Sequence, residues 1–152
     1  MVQLNLPSFD FKIIKNENGK LSIFDDIRKK YIIISPEEWV RQNFIKYLIQ
    51  YKNFPKGLIA LEKGIKINGN QFRFDALCYD NNANPLVIIE FKAPKVKITE
   101  KVFQQAAIYN MKLKTPYLIM SNGISHYCCK VDFINKKVEY LKDVPDYNSL
   151  KS

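Results

Sequence analysis

Three residues on two expected strands have the types and spacing to hold a cation and act on a phosphate group. Glu90 and Lys92 stand two positions apart in the run 86–92, so their side chains project from the same face of one strand. Asp75 belongs to the strand before it, and its carboxylate can lie beside Glu90 if the two strands are neighbours. Clustered carboxylates repel each other when they are buried, and a bound cation relieves that repulsion.

Oxygen ligands with room for water favour Mg²⁺, and Mn²⁺ can substitute for it. The ammonium group of Lys92 could then position a water nucleophile or stabilise charge that develops on a phosphate. The simpler interpretation is a structural Glu–Lys pair at a strand edge. Two features favour the catalytic interpretation: the strand is apolar up to Glu90, and Asp75 lies fifteen residues earlier, across a turn.

Capping and turn residues predict the elements that must position these side chains. Ser35 and Pro36 suit the start of a helix that runs to about Tyr51, and Glu38 would complete a capping box with Ser35. Asn68-Gly69-Asn70 is typical of a turn between two antiparallel strands. The full predicted order is a hairpin at 11–24, a helix at 36–51, strands at 58–67, 71–79 and 86–92, a helix at 100–112, and strands at 116–120, 125–131 and 137–141.

This order predicts an α/β fold (an α+β mixed sheet), with a central mixed β-sheet flanked by helices. The apolar run that ends at Glu90 predicts a strand buried on both faces in the middle of the sheet. We expect an N-terminal hairpin extension at 1–30, the main domain at 31–144 and a loose polar tail at 145–152.

Composition restricts the class of protein. The 152 residues fit one domain, and a net charge of +9 favours an anionic partner such as nucleic acid, although a basic soluble surface has the same charge. The three cysteines have no metal-site spacing and their odd number argues against a disulfide framework, so we expect a cytoplasmic protein. Apolar stretches of about five residues are too short to span a membrane.

Four segments in order resemble the PD-(D/E)xK nuclease superfamily, and more narrowly the N-terminal nuclease domain of type I restriction enzyme R subunits. The resemblance covers about residues 31–130, and Asn122-Gly123 also fits it. No proline precedes Asp75, where the superfamily's name places one. The matching segments are Ser35-Pro36-Glu37-Glu38-Trp39-Val40-Arg41-Gln42, Arg73-Phe74-Asp75, Ile89-Glu90-Phe91-Lys92-Ala93-Pro94 and Gln105-Ala106-Ala107-Ile108-Tyr109.

The resemblance implies a restriction-endonuclease-like core in the domain at 31–144, and a Mg²⁺-dependent deoxyribonuclease of restriction, defence or DNA-processing type. Asp75 and Glu90 would ligate the metal together with the backbone carbonyl of Phe91. Lys92 would orient or activate the attacking water.

The resemblance also implies supporting residues around this core. In this family an acidic residue of the first helix often faces the metal. Because Glu38 is expected to cap the helix, we prefer Glu37 for this role. The alternative is that both carboxylates only interact favourably with the helix dipole. Gln105 and Tyr109 share a helix face and would contact DNA or support the catalytic residues, unless the tyrosine is only a core residue. Arg73 could contact a phosphate or offset the carboxylates.

Two other functions stay open. One is a noncatalytic DNA-binding or partner-docking module on the same fold, and the other is an RNA or nucleotide substrate, because fold alone does not decide function. The restriction subunit carries a motor domain after its nuclease, and this chain ends at Ser152. We therefore expect separate motor or specificity proteins as partners, and pairing into a homodimer if both DNA strands are cut.

Overall fold

The structure is a computed structural model and describes residues 1–150. Within this range, nine strands and two α-helices follow in the order β1–β3, α1, β4–β6, α2 and β7–β9, with short 3₁₀ turns at Lys56–Leu58 and Tyr147–Ser149. The bounds are Ile13–Lys15 (β1), Leu21–Asp25 (β2), Lys30–Ile33 (β3), Pro36–Tyr51 (α1), Ile59–Ile67 (β4), Asn70–Tyr79 (β5), Pro85–Phe91 (β6), Glu100–Leu113 (α2), Tyr117–Ser121 (β7), His126–Asp132 (β8) and Lys137–Leu141 (β9).

Strands β4 to β9 form one six-stranded sheet whose spatial order equals the chain order. Only β6 and β7 pair in parallel among these strands, because α2 carries the chain back between them; the other neighbours are antiparallel. The predicted α/β class with a mixed sheet is therefore confirmed. Neither helix in the described range is long and apolar enough to cross a membrane.

Each face of the large sheet has its own hydrophobic core. Ile89 and Phe91 of β6 pack with Phe44 of α1, whereas Ile88 packs with Phe103 of α2. Side chains alternate along a strand, so β6 supplies both cores in turn. The prediction of a strand buried on both faces is confirmed, and Glu90 follows this apolar segment directly.

Helix α1 begins and ends where the capping residues predict. The Ser35 hydroxyl accepts a hydrogen bond from the Glu38 N–H at 3.0 Å, and Pro36 is the first helical residue. The second half of the expected capping box is wrong, since the Ser35 N–H donates to the carbonyl of Ile33 instead. The Glu38 carboxylate is drawn away by the guanidinium of Arg28 at 2.8 Å, a charge-assisted contact stronger than a neutral one.

The N-terminal extension is a three-stranded antiparallel sheet in the order β1-β2-β3. The predicted hairpin is correct for β1 and β2 but incomplete, because β3 spans 30–33 and crosses the boundary expected after residue 30. The turn before β3 is held by Asp25, whose carboxylate accepts hydrogen bonds from the N–H groups of Ile27 and Arg28 at 2.7 and 2.9 Å. This turn fixes where the Arg28 side chain starts.

The expectation of a loose C-terminal tail is wrong for residues 145–150, and residues 151–152 lie outside the described residues. The Tyr147 N–H donates to the Lys52 carbonyl at 2.8 Å, and its hydroxyl donates to the Tyr79 carbonyl at 3.0 Å. Its ring also packs edge-on against the buried ring of Phe54, with centroids 5.4 Å apart. These contacts tie the tail to the end of α1 and to β5.

We predict that Tyr147→Ala lowers the free energy of unfolding by about 1–3 kcal/mol, because one side chain loses both a ring contact and a hydrogen bond. Urea unfolding followed by circular dichroism measures this change. Ile134→Ala is the matched control, since Ile134 is 82% exposed. Equal stability of the two variants would contradict the packed position of the tail.

Candidate active site

Strands β5 and β6 stop pairing at the point where the two predicted carboxylates stand. Ala76 and Ile89 form the last pair of the ladder, so Asp75 and Glu90 occupy the next positions. There the Asp75 Oδ2 atom accepts a hydrogen bond from the Phe91 N–H at 2.8 Å. A side chain thus replaces the strand carbonyl that would otherwise accept from this N–H. The predicted convergence of Asp75 and Glu90 is present in the structure.

Among the acidic groups of this site, Glu90 has the most strongly shifted pKa. Burial, and then the negative charge of Asp75 and a hydrogen-bond contact with its carboxyl group, raise the pKa of Glu90 to about 8. The positive charge of Lys92 acts in the opposite direction, which indicates that all three groups lie near one another. The neutral form of a carboxyl group is favoured where it is desolvated beside another carboxylate.

The backbone of β6 contributes a further oxygen. In an extended strand the N–H and C=O of one residue point towards the same neighbouring strand, so the Phe91 carbonyl is directed, like its N–H, towards β5. The next N–H, that of Lys92, donates to the Ser121 carbonyl of β7 at 2.9 Å. The two sides of β6 are therefore distinct here, with the oxygen donors on the β5 side.

These donors fit a Mg²⁺ ion. Within residues 1–150, no group of three or more His, Cys, Asp or Glu side chains is arranged to hold a metal. Magnesium does not require such a group, since it commonly uses one or two carboxylates and keeps several waters. Asp75, Glu90 and the Phe91 carbonyl are hard oxygen donors of the kind that this ion prefers.

Arg41 of α1 approaches Asp75 from the helix side. Its Nη2 atom lies 4.0 Å from the Asp75 Oδ1 atom, and its Nη1 atom lies 3.3 Å from Glu62 and 3.5 Å from Glu38. The side chain is only 5% exposed. The hydrogen bond from Arg41 holds the pKa of Glu62 below its usual value. One guanidinium group thus contacts carboxylates from α1, β4 and β5.

Arg28 reaches the same carboxylates from the N-terminal sheet. Its guanidinium contacts Asp25 at 2.6 Å, Glu38 at 2.8 Å and Glu62 at 3.8 Å. The Gln42 amide adds hydrogen bonds to Asp25 and Glu38 at 3.0 and 2.9 Å. We call the group Asp25, Arg28, Glu38, Arg41 and Glu62 the arginine network.

The preference for Glu37 as the helix carboxylate of the site has no support in the contacts. Glu38 is 6% exposed and belongs to the arginine network. The Glu37 side chain has no hydrogen bond or ion pair within residues 1–150. The preference depended on a capping role of the Glu38 side chain, and that role is absent. Glu38 is the residue of this pair that connects to Asp75, through Arg41.

The remaining predicted residues, Arg73, Gln105 and Tyr109, make no hydrogen bond or ion pair with Asp75 or Glu90 within residues 1–150. Arg73 is 71% exposed and its ion pair is with Glu62 at 3.5 Å, so its role towards a phosphate stays a prediction. Tyr109 packs edge-on against Phe72 of β5, with centroids 5.5 Å apart. Gln105 is exposed one helical turn before it. Both stay candidates for contact with a bound substrate.

The loop after Lys92 is tied to the turn after β7. The Asn122 side chain donates to the Val96 carbonyl at 2.8 Å, and its oxygen accepts from the N–H groups of Ile124 and Ser125. Gly123 has φ +85° and a Cβ there would lie 2.7 Å from Leu4, so glycine is required. The Asn122-Gly123 pair noted in the sequence therefore shapes the edge of the site.

Sequence reasoning missed Arg28, Arg41 and Glu62 as parts of the site. A weak signal exists for the arginines, because Asp25–Arg28 and Glu38–Arg41 are both three residues apart. Glu62 is a charged residue with φ +51° in the middle of β4, and no local pattern reveals its partners.

We predict that Glu90→Gln stabilises the fold more at pH 8.5 than at pH 5. The folded pKa of about 8 exceeds the usual value of 4.5, so the folded state holds a proton that the unfolded state has lost, and stability decreases as pH rises through this window. A gain on the order of 2–4 kcal/mol at pH 8.5 is expected, measured by urea unfolding at both values. Glu139→Gln, an exposed strand carboxylate, serves as the control; a gain independent of pH would refute the assignment.

The fold and the sequence both have known relatives. The structure is similar to a solved fragment assigned to an HsdR subunit of a type I restriction enzyme from Vibrio vulnificus YJ016, with a TM-score of 0.53 and 18% identity. The match covers 77% of this chain and 24% of that chain. No curated protein matches the chain. The family described as type I restriction enzyme R protein N terminus (HSDR_N) matches residues 36–145, more than half of the sequence, and the chain belongs to this family.

Proposed function

We propose that this chain is a Mg²⁺-dependent DNA phosphodiesterase, endonuclease-like in its reaction, with a PD-(D/E)xK active site. The observation that carries the proposal is that Asp75 and Glu90 occupy the opposing positions next to the last pair of the β5–β6 ladder, with the Phe91 N–H bound to Asp75. Structural ion pairs join opposite charges, whereas two adjacent acids favour a cation between them. Membership of the restriction R-protein family supports a role in restriction or defence.

Asp75, Glu90 and the Phe91 carbonyl would hold the metal, and Mn²⁺ would be accepted by the same oxygens. Bound there, the ion would lower the pKa of a coordinated water and neutralise charge on the phosphate. The role of the protein is to hold two acids together that would otherwise separate. The Phe91 N–H does this for Asp75, and the burial of the end of β6 does it for Glu90.

Lys92 would act on the water and the phosphate. Lys92 directly follows β6, two positions after Glu90, and its positive charge lowers the pKa of Glu90. From there it can orient a water whose oxygen forms the new bond to phosphorus and whose proton passes to solvent. The opposite ester bond then breaks, and the leaving oxygen takes a proton from solvent. A positive charge fixed beside developing negative charge stabilises the transition state.

The surface charge suits a polyanion. The net charge is +9, and the exposed residues near the site include Arg73 on β5 and Lys95 and Lys97 on the loop after β6. Such side chains attract a phosphate backbone without reading its sequence. As a member of a restriction R-protein family, the chain would act with separate motor or specificity proteins, and a homodimer would allow both strands to be cut.

We predict that the purified protein nicks or linearises supercoiled plasmid in Mg²⁺ or Mn²⁺ and not in EDTA. Lys92→Ala and Asp75→Asn should each lower the rate by about 100-fold or more, because each removes charge aimed at the reacting phosphate or the metal. Lys137→Ala is the matched control, since Lys137 is exposed on β9, at the far end of the sheet. Gel analysis of the plasmid forms gives the rates.

Equal cleavage rates for Lys92→Ala and the unmodified protein would show that the cleavage comes from a contaminating nuclease or from another site of the protein. Salt-sensitive DNA binding that is indifferent to metal, without cleavage, would favour the noncatalytic module. Cleavage of single-stranded RNA in preference to plasmid would assign the site to a different nucleic acid.

A further inference from the structure

We propose that the N-terminal sheet belongs to the active site, with Arg41 as the residue that positions Asp75 and Arg28 as the residue that positions Arg41. The inference rests on the proposed function, because it assigns these arginines to the preparation of a metal ligand. The sequence treats residues 1–30 as an extension, and the family match begins only at residue 36. The contacts nevertheless join that segment to Asp75.

The first step of the argument concerns the two oxygens of Asp75. The Oδ2 atom is held by the β6 backbone, through the Phe91 N–H at 2.8 Å. The Oδ1 atom faces the Arg41 guanidinium at 4.0 Å, which is too long for a hydrogen bond and lies at the outer limit of an ion pair. The buried positive charge of Arg41 attracts the oxygen that the Phe91 N–H leaves free, so Arg41 favours the orientation that the Phe91 N–H begins.

The second step concerns what holds Arg41. Its Nη1 atom is bound by Glu62 and Glu38, and Glu38 is bound by Arg28. Arg28 starts from the turn fixed by Asp25 and is itself bound by the Asp25 carboxylate at 2.6 Å. The N-terminal sheet therefore restricts Glu38, Glu38 restricts Arg41, and Arg41 faces Asp75.

The third step is that stability alone does not account for this arrangement. Asp25, Glu38 and Arg41 are 2%, 6% and 5% exposed, and the Arg41 Nε atom has no hydrogen-bond partner among the described residues. Burying charges costs so much solvation that an apolar group of equal size is often as stable. The arrangement is expected where geometry has to be fixed beside a ligand residue, and such supporting groups change metal affinity or activity when they are removed.

The test uses the Phe91 amide as a reporter of the Asp75 position, because it donates to Asp75. Its internal reference is the Lys92 amide, which donates to Ser121 on the other side of the same strand. Hydrogen exchange of both amides is measured by NMR for the unmodified protein, Arg41→Gln and Arg28→Gln. Lys46→Gln is the control, since Lys46 is a cation of the same helix that contacts the Asp10 carbonyl instead.

In Arg41→Gln the Phe91 amide should exchange at least about tenfold faster relative to the Lys92 amide, and in Arg28→Gln by a smaller factor in the same direction. Global destabilisation would speed up both amides equally and leave the ratio unchanged. Plasmid cleavage should fall by about 10- to 100-fold in kcat with little change in KM. Arg41→Lys should restore only part of both effects, because a single ammonium nitrogen cannot replace the planar guanidinium group, in which Nη1 faces Glu38 and Glu62 while Nη2 faces Asp75.

An unchanged ratio in both variants, in folded protein, would overturn the inference. If Arg41→Gln does not fold, Arg28→Gln and Glu62→Gln decide the outcome, since both side chains are less buried than Arg41. A changed ratio in a protein that cleaves no nucleic acid would refute the proposed function while the positioning of Asp75 by Arg41 stands. Cleavage of nucleic acid together with an unchanged Phe91 to Lys92 exchange ratio in the variants would support the proposed function and refute the positioning of Asp75 by Arg41.

Discussion

Repulsion between Asp75 and Glu90 is the constraint to which the surrounding structure responds. Two acids next to the last pair of the β5–β6 ladder would separate in water, since each prefers its own hydration. The fold keeps them together by burying the end of β6 and by giving Asp75 a backbone N–H to bind. The result is a site whose two acidic groups occupy opposing positions on neighbouring strands.

The sheet order makes this possible. β5 precedes β6 in the chain and neighbours it in space, so a short turn places Asp75 opposite Glu90. β7 then covers the other side of β6, where Ser121 accepts from the Lys92 N–H. Because β6 lies inside the sheet, its position is fixed from both sides, and the side chains at its end inherit that rigidity. Catalytic groups on a central strand are held more firmly than groups on a loop.

Local sequence patterns predicted most of the helices and strands, but they did not predict the ion pairs between residues that are far apart in the chain. Ser35 and Pro36 located α1, Asn68-Gly69 located the β4–β5 turn, and the apolar run to Glu90 located the central strand. The third N-terminal strand was missed because four residues directly before a helix start carry little signal. The predicted direction of the Glu38 side chain was wrong because its partner, Arg28, comes from the turn between β2 and β3 of the N-terminal sheet. No periodicity encodes such a contact, which the tertiary fold alone creates.

The burial of Asp25, Glu38 and Arg41 in the arginine network affects how the protein responds to ionic strength. Dissolved salt screens exposed charges strongly and buried ion pairs much less. Contacts of Arg73, Lys95 and Lys97 with a phosphate backbone would weaken as counterions compete, whereas Arg41 and Glu38 would keep their partners. Under the proposed function, moderate salt would therefore release a polyanion from the surface while the geometry around Asp75 is preserved.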